Sequence, residues 1–323
     1  MNLGLDVGYS HTKAVAGDRR AAFPSAVGTP DKARFSLNGH ADTIMLLEPE
    51  HAQIGAGAIE QSRFVRRRED RKWIESAEWR LLFLAAVSEV TSAKRAELRI
   101  VTGLPVAYYT DKQAVRDRLL GTHRLQREGR HAQTVDVVDA RIVPQPFGAL
   151  LCACLNDRGV ITDQELATGS VGVIDCGGKT TNLLSVNRLA EIGRETASVN
   201  VGAWDAVRGL RRWLDGHCPD LDLRDHQVTE ALITRSVKYY GEPVDLAQPV
   251  ADILEPLAEQ VLAEATQLWN GAAALDAILV SGGGALLLGP YIGQHFRHAR
   301  VVSDPVYANA LGFWRFAQRV ARG

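Results

Sequence analysis

At 323 residues the chain is longer than one ordinary core requires, so two domains are expected. An apolar fraction of 46% with 23% charged residues is typical of a soluble globular protein. With 37 basic and 38 acidic residues, net charge attracts the protein neither to nucleic acid nor to an anionic membrane. No apolar run approaches the roughly 20 residues of a membrane-spanning helix. The cysteines at 152, 154, 176 and 218 lack disulfide-framework spacing, which predicts reduced thiols and a cytoplasmic protein.

Apolar periodicity predicts alternating strands and helices, the pattern of an α/β fold. In the first half these are strands at 3–6, 13–16, 98–104 and 135–143, and helices at 73–91 and 111–120. Residues from 23 to about 59 are rich in Gly, Pro and Asp with short strand-like pieces, which indicates a small β-rich insertion. The charged run at 63–72 is interpreted as a solvated helix face rather than a DNA or filament contact.

The second half continues the alternation. It is predicted to hold strands at 170–175, 181–186 and 277–280, and helices at 149–155, 204–214, 228–240, 250–270 and 309–320. His295 and His298 lie three residues apart on a further helical stretch, and without acidic or cysteine neighbours they are interpreted as surface residues.

One pattern occurs twice. Residues 4–13 and 173–182 each read as an apolar strand, Asp-x-Gly, a polar turn and a second strand. An Asp at the end of a buried strand with Gly two residues later is suited to a polyphosphate, because glycine lets backbone N–H groups approach the phosphate oxygens. The carboxylate itself needs a cation between it and the phosphates, which implies Mg²⁺, bound through water. The repetition predicts duplicated halves.

A third glycine-rich turn, 281–284, follows the predicted strand at 277–280, and bare backbone there would accommodate a flat adenine and ribose. The sequence Gly178-Lys179-Thr180 resembles the end of a P-loop, but Val173 stands where its first glycine belongs. A strand rather than a helix is also predicted after it, so the P-loop is rejected.

In this order the motifs resemble the superfamily of actin, sugar kinases and heat-shock chaperones, and within it the bacterial and archaeal actins of the plasmid-segregating ParM type. Residues 143–149 resemble the first interdomain connection, residues 308–313 the second, and 102–106 with Tyr108 and Tyr109 a ParM-type strand and loop. The resemblance implies an actin-like (ribonuclease H-like) α/β fold of two duplicated domains with a nucleotide cleft between them. The implied boundaries are 1–144 plus 308–323 for domain I, with its insertion around 23–72, and 145–307 for domain II.

Site residues are carried over from the resemblance. Asp6 and Asp175 would organise Mg²⁺, and Gln145 would orient the attacking water, because an amide is too weak a base to deprotonate it. The expected nucleotide contacts are Gly8, Ser10, Thr12, Lys13, Gly177, Gly178, Thr180, Gly202, Asp205, Gly282, Gly283 and Gly284. Lys179 departs from the family pattern, and a phosphate contact and a solvent-facing position are equally expected for it.

The resemblance also implies a function. The expected protein binds ATP, with GTP as an alternative, hydrolyses it slowly, and assembles head to tail into a filament that segregates plasmid or other DNA through a DNA-bound adaptor. Neither membrane binding nor direct nucleic-acid binding is expected. A small-molecule kinase of the same superfamily and a nucleotide-switched scaffold that does not polymerise are the alternatives. A chaperone is not expected, since only residues 320–323 follow the nucleotide fold.

Overall fold

The computed structural model describes residues 1–31, 44–66 and 71–322. They form two compact units, 1–163 with 307–323 (unit 1) and 164–306 (unit 2). The sequence predicted 145–163 and Tyr307 in the second domain, whereas the structure groups them with unit 1. The physical reason is helix packing inside unit 1, described below.

The described part of unit 1 contains ten strands. They are β1 Asn2–Val7, β2 His11–Ala16, β3 Arg19–Pro24, β4 Val27–Gly28, β5 Ile44–Glu48, β6 Ala52–Ile54, β7 Val65–Arg66, β8 Arg95–Leu104, β9 Gly121–Arg127 and β10 Gln133–Pro144. Its first four helices are α1 Ala56–Gln61, α2 Ala77–Val90, α3 Lys112–Leu119 and α4 Phe147–Cys154, with short 3₁₀ helices at Arg71–Glu75 and Val106–Asp111.

Unit 2 contains two sheets and five helices. The strands are β11 Ser170–Cys176, β12 Thr181–Asn187, β13 Ala190–Glu191, β14 Ala197–Val199, β15 Ser236–Tyr239, β16 Glu242–Asp245, β17 Ala277–Ser281 and β18 Ala299–Val301. The helices are α5 Gln164–Thr168, α6 Ala203–His217, α7 Asp225–Thr234, α8 Ala247–Leu268 and α9 Ala285–His295, with a 3₁₀ turn at Gly193–Glu195. The chain then returns to unit 1 as α10, Ala308–Val320.

The two units share one strand plan. In unit 1 the order β3-β2-β1-β8-β10 has two antiparallel pairs followed by two parallel ones. In unit 2 the order β13-β12-β11-β17-β18 repeats that sequence of pairings. The duplication predicted from the two Asp-x-Gly segments is therefore confirmed for five strands of each sheet.

The central strands are buried on both faces, as parallel strands covered by helices are. Residues 3–6 of β1 are buried, and so are residues 171–176 of β11. Helix α2 begins at the N-cap Ser76, whose Oγ accepts a hydrogen bond from the Trp79 N–H at 3.1 Å. It is buried around most of its circumference. Helix α8 instead buries one stripe, at spacings of three and four residues, that includes Val250, Leu254 and Val261.

Helix α10 packs closely on α4 and on β1. A Cβ at Gly312 would overlap the Gly148 carbonyl oxygen, and a Cβ at Gly4 would overlap the Ala310 carbonyl. These glycines let the helix approach the neighbouring backbone within van der Waals distance. Because α4 lies against α10, the segment at 145–163 belongs to unit 1.

The short strands predicted in the β-rich insertion are present among its described residues as β4, β5 and β6, and β5 pairs with β9, so that they extend the main sheet. Two further predictions differ from the structure. The helix predicted at 228–240 ends at Thr234, where Arg235 adopts φ +53°, and the following residues pair as the β15–β16 hairpin. The charged run at 63–72 contains the exposed strand β7 instead of a helix at its start, and its residues 67–70 lie outside the described residues.

Of the two histidines predicted on a helix, His295 ends α9 and is exposed, while His298 follows it and is partly buried. Within the described ranges, no helix has the length and apolarity needed to cross a bilayer.

Candidate functional site

The first predicted hairpin joins β1 to β2. Asp6 lies near the end of β1, is 2% exposed, and stands opposite Lys13 in the strand register. Lys13 Nζ lies 3.1 Å from Asp6 Oδ2, and Gln145 Nε2 donates a hydrogen bond to Asp6 Oδ1 at 2.9 Å. The three side chains predicted to hold metal, phosphate and water therefore form one hydrogen-bonded group in unit 1.

Gln145 is positioned by backbone contacts. Its N–H donates to the Leu104 carbonyl at 2.7 Å, at the end of β8. A Cβ at Gly103 would lie 2.8 Å from the Gln145 Cα, so glycine at 103 is what lets this segment approach β8. Because a carboxylate only accepts hydrogen bonds, the amide nitrogen must face Asp6, and the amide oxygen Oε1 is directed elsewhere.

The turn of the first hairpin is closed by the Gly8 N–H, which donates to the His11 carbonyl at 3.2 Å. Ser10 Oγ lies 2.9 Å from His11 Nδ1. Thr12 is fully buried, and its hydroxyl lies 2.9 Å from Ser25 Oγ. The Thr12 side chain therefore braces the hairpin from within, while Ser10 lies on its partly exposed side.

The second hairpin, between β11 and β12, repeats this geometry. Asp175 is 2% exposed and opposes Asn182, and the Gly177 N–H donates to the Thr180 carbonyl at 2.9 Å. The β-strand that follows confirms the rejection of a P-loop. Lys179, between Gly178 and Thr180, is partly buried.

The second hairpin lies against the start of α6. The Gly177 and Gly178 carbonyls accept hydrogen bonds from the Ala203 N–H at 3.0 Å and the Trp204 N–H at 2.8 Å. A Cβ at Gly202 would overlap the Gly178 carbonyl, so this contact requires glycine. Asp205 caps the same helix, because its Oδ2 accepts from the Gly202 N–H at 2.9 Å, and its Oδ1 accepts from Arg208 at 2.8 Å.

The glycine-rich turn after β17 closes the other side of this hairpin. Ser281 Oγ donates to Asp175 Oδ1 at 3.3 Å, and the Gly284 N–H donates to the Cys176 carbonyl at 2.9 Å. Gly282 has φ +83°, and a Cβ there would lie 2.7 Å from Asp175 Oδ1. Only glycine combines that φ with that approach. All site residues predicted in unit 2 are thus adjacent to one hairpin.

Cys176 lies between Asp175 and Gly177. Complete burial raises the pKa of its thiol to about 12, so the thiol is protonated at neutral pH and is a poor nucleophile. All four cysteines are buried, and none of them forms a disulfide. Within 1–31, 44–66 and 71–322, no group of three or more His, Cys, Asp or Glu side chains is arranged to bind a metal directly.

The residues present suit a magnesium nucleotide. Each hairpin offers a buried carboxylate at a strand end, and bare backbone at Gly8 and Gly177 beside it. Carboxylate oxygens acting through water are ligands that Mg²⁺ prefers. Gly283, beside which a Cβ would meet no atom within 4 Å, adds open backbone to unit 2.

Sequence reasoning missed three residues of these arrangements. Ser25 supports the first hairpin, and Gly103 lets the Gln145 segment approach β8. Ser281, which was quoted only as part of a glycine-rich motif, contacts Asp175. The signal for Ser25 is non-local, because strand register brings it to the hairpin. The Ser before three glycines was the one local signal available.

Comparison with known proteins identifies the two halves separately. The family model described as actin-like proteins, N-terminal domain, matches residues 4–148, and the model described as archaeal actin homologue MreB-like, C-terminal, matches residues 173–294. Together they match most of the chain. No curated protein sequence matches it significantly.

Solved structures of the same fold match along nearly the full length. An archaeal actin homologue, Ta0583, has a TM-score of 0.83 and 23% identity, with 99% of each chain covered. A ParM filament from Clostridium botulinum, described as 15-stranded, has a TM-score of 0.80 and 21% identity, covering 98% of this chain and 99% of that one. A non-polymerisable quadruple mutant of pCBH ParM has a TM-score of 0.81 and 20% identity, with 98% and 99% covered. With both halves matched by family models and the whole chain matched in fold, the chain belongs to the actin-like proteins.

Proposed function

We propose that the protein is an actin-like ATPase that polymerises when ATP and Mg²⁺ are bound, and that slow hydrolysis weakens the filament. The observation that carries the proposal is the pair of Asp-x-Gly hairpins, which occupy equivalent positions in the two matching sheets. A structure of the archaeal homologue was solved with ADP, which supports nucleotide binding here.

In this proposal the hairpins hold the phosphates. Backbone at Gly8, Gly177 and Gly178, the Ser10 and Thr180 hydroxyls and the Lys13 ammonium are the donors; Lys179 is a further candidate. Gly202 and Gly282–284 accommodate the nucleoside, while Asp205, as the cap of α6, positions the loop beside it. The metal would be held through water by Asp6 and Asp175, where it supplies charge neutralisation for the phosphates. GTP remains the alternative nucleotide.

Gln145 is the residue proposed to orient water. Its Nε2 is bound to Asp6, so its Oε1 is the atom able to accept a hydrogen bond from the attacking water. The Asp6 contact fixes the amide in that orientation. An amide positions water without deprotonating it, which suits a loose phosphoryl-transfer transition state and slow turnover.

Self-assembly is supported by the relatives. One is solved as a filament and another is a mutant described as non-polymerisable, which implies a polymerising parent. Head-to-tail contacts that do not close into a ring produce open filaments. Plasmid or DNA segregation through a DNA-bound adaptor, in the cytoplasm, is the specific role that we propose.

Sedimentation tests the proposal. ATP or a slowly hydrolysed analogue, with magnesium, is expected to drive the protein into a high-speed pellet, and ADP much less, since only a ligand that binds the assembling state more tightly shifts the equilibrium. A protein that stays monomeric with ATP and phosphorylates a small metabolite would be a kinase instead. One that hydrolyses ATP without pelleting would be a non-polymerising switch.

Gln145→Ala separates binding from chemistry. Hydrolysis should slow by at least about tenfold while ATP affinity stays nearly unchanged, because Gln145 is proposed to contact water and not the nucleotide. Filaments of the variant should persist longer after ATP addition. The matched control is Gln113→Ala, which removes an amide that also donates to a carboxylate, Asp117 at 2.7 Å, but on the exposed face of α3. Equal losses of affinity and turnover in Gln145→Ala would assign it a structural role.

A further inference from the structure

Ser25 makes three contacts with the first hairpin. Its hydroxyl donates to the Gly8 carbonyl at 2.6 Å and lies 2.9 Å from the Thr12 hydroxyl, and its N–H donates to the Ser10 carbonyl at 2.8 Å. The residue is 2% exposed. A single buried serine therefore contacts three of the residues expected to surround phosphate.

The fold explains how Ser25 reaches the hairpin. Strand β3 runs antiparallel to β2 and pairs Pro24 with His11, so the residue after Pro24 emerges beside the turn. The Ala26 N–H donates to the Pro24 carbonyl at 2.8 Å, which forms a three-residue turn centred on Ser25. This turn directs both the N–H and the hydroxyl of Ser25 at the hairpin.

The second hairpin shows that such a brace is a repeated feature. Thr181, which occupies the place of Thr12 in the duplicated plan, is also fully buried, and its hydroxyl donates to the Val201 carbonyl at 2.8 Å. The carbonyls of that turn are held by N–H groups at the start of α6. In unit 2 the carbonyls of the turn are therefore held by backbone N–H groups, whereas in unit 1 the equivalent Gly8 carbonyl is held by the hydroxyl of Ser25.

Bracing a carbonyl fixes its whole peptide plane. In a trans peptide the C=O and the following N–H point in opposite directions. Holding the Gly8 and Ser10 carbonyls toward Ser25 turns the Tyr9 and His11 N–H groups to the opposite side of the hairpin. Oriented N–H groups in a glycine-containing turn form an anion-binding concavity.

We propose that Ser25 is a positioning residue for phosphate: it sets the peptide orientation of the first hairpin and thereby the affinity for nucleotide. This inference rests on the proposed function, because it concerns the same nucleotide. It assigns the residue no contact with the ligand. Its effect passes through Gly8, Ser10 and Thr12.

The test compares Ser25→Ala with Ser88→Ala. Ser88 is fully buried and its hydroxyl also donates to a carbonyl, that of Ala85 at 2.7 Å, but inside α2. We expect Ser25→Ala to weaken magnesium-ADP binding, measured by titration calorimetry, and to raise the KM for ATP by about tenfold. The kcat should stay within about twofold, because Gln145 and Asp6 keep their contact. Ser88→Ala should leave both the ADP affinity and the KM unchanged.

The possible results separate this inference from the proposed function. If the parent protein binds no nucleotide, the proposed function is wrong, and so is the role proposed for Ser25. If the parent binds ADP and Ser25→Ala binds it equally well, or loses kcat with an unchanged KM, the role of Ser25 alone is overturned. Should Ser25→Ala fail to fold, Ser25→Cys carries the test, because it keeps a small side chain but replaces the hydroxyl that donates to the Gly8 carbonyl with a thiol, which is a weak donor. A fall of about threefold in ADP affinity would support the inference, and an unchanged affinity would overturn it.

Discussion

Alanine at Asp6 or at Asp175 is expected to slow magnesium-dependent ATP hydrolysis by about 10- to 100-fold, the usual loss when an outer partner of a bound metal is removed. Both carboxylates are almost completely buried at the ends of equivalent strands, which leaves little room for another residue to substitute. Hydrolysis measured against magnesium concentration should show the loss as a higher metal requirement. The duplicated geometry predicts losses in both variants.

Two further variants, Asp6→Asn and Ser281→Ala, test whether the charge of the carboxylate is what matters. Asp6→Asn retains the shape of the side chain and an acceptor for Gln145 but removes the charge beside Lys13. It should therefore resemble Asp6→Ala in its metal requirement. Ser281→Ala, which removes only a hydroxyl donating to Asp175, should cost much less than Asp175→Ala. An Asp variant at either position that hydrolyses ATP at the parent rate and magnesium dependence would show that its hairpin does not serve the metal.

The second large effect concerns stability. Gly312→Ala should lower the free energy of unfolding by about 1–3 kcal/mol, the typical cost of overpacking. The added methyl group would overlap the Gly148 carbonyl and lie 2.7 Å from the Cys152 nitrogen, so α10 and α4 would have to separate. Both contacts are to backbone, which cannot yield as a flexible side chain does.

Gly216→Ala is the matched control. Gly216 lies within α6, and an added Cβ would meet no atom within 4 Å. Replacing a helical glycine with alanine there should stabilise the protein by about 0.5–1 kcal/mol. The same substitution in two helices should thus shift the urea unfolding midpoint in opposite directions. A Gly312→Ala protein as stable as its parent would contradict the close packing of α4 and α10.

Among the candidate site residues, those with a local signature are the ones whose position in the fold is predicted best from the sequence. Asp6 and Asp175 each follow an apolar run and precede a glycine by two residues, and this spacing alone places them at the end of a buried strand. The glycines at 282–284 are equally local. At Gly282 and Gly284 an added Cβ would crowd Cys176, so the composition of the turn itself indicates this close approach.

The features that were not predicted from the sequence depend on pairing between distant segments. Nothing in the local sequence marks Ser25 as part of the site, because only the β2–β3 register brings it to Gly8. The apolar pattern of α7 continues in the sequence past Thr234, but the residues after it pair as the β15–β16 hairpin. Strand pairing there overrides the local preference for helix. The division at 163 rather than 144 follows from α4 packing on α10, which begins 161 residues after the start of α4 (308 minus 147).

The return of α10 to unit 1 has a consequence for biosynthesis. Unit 2 is one continuous stretch, 164–306, and all of its strands and helices have been translated before α10 is made. Unit 1 needs a helix from the end of the chain to cover Gly4 in its first strand and Gly148 in α4. Unit 1 therefore contains the first strand to be translated, yet it is the later of the two units to have all of its helices available.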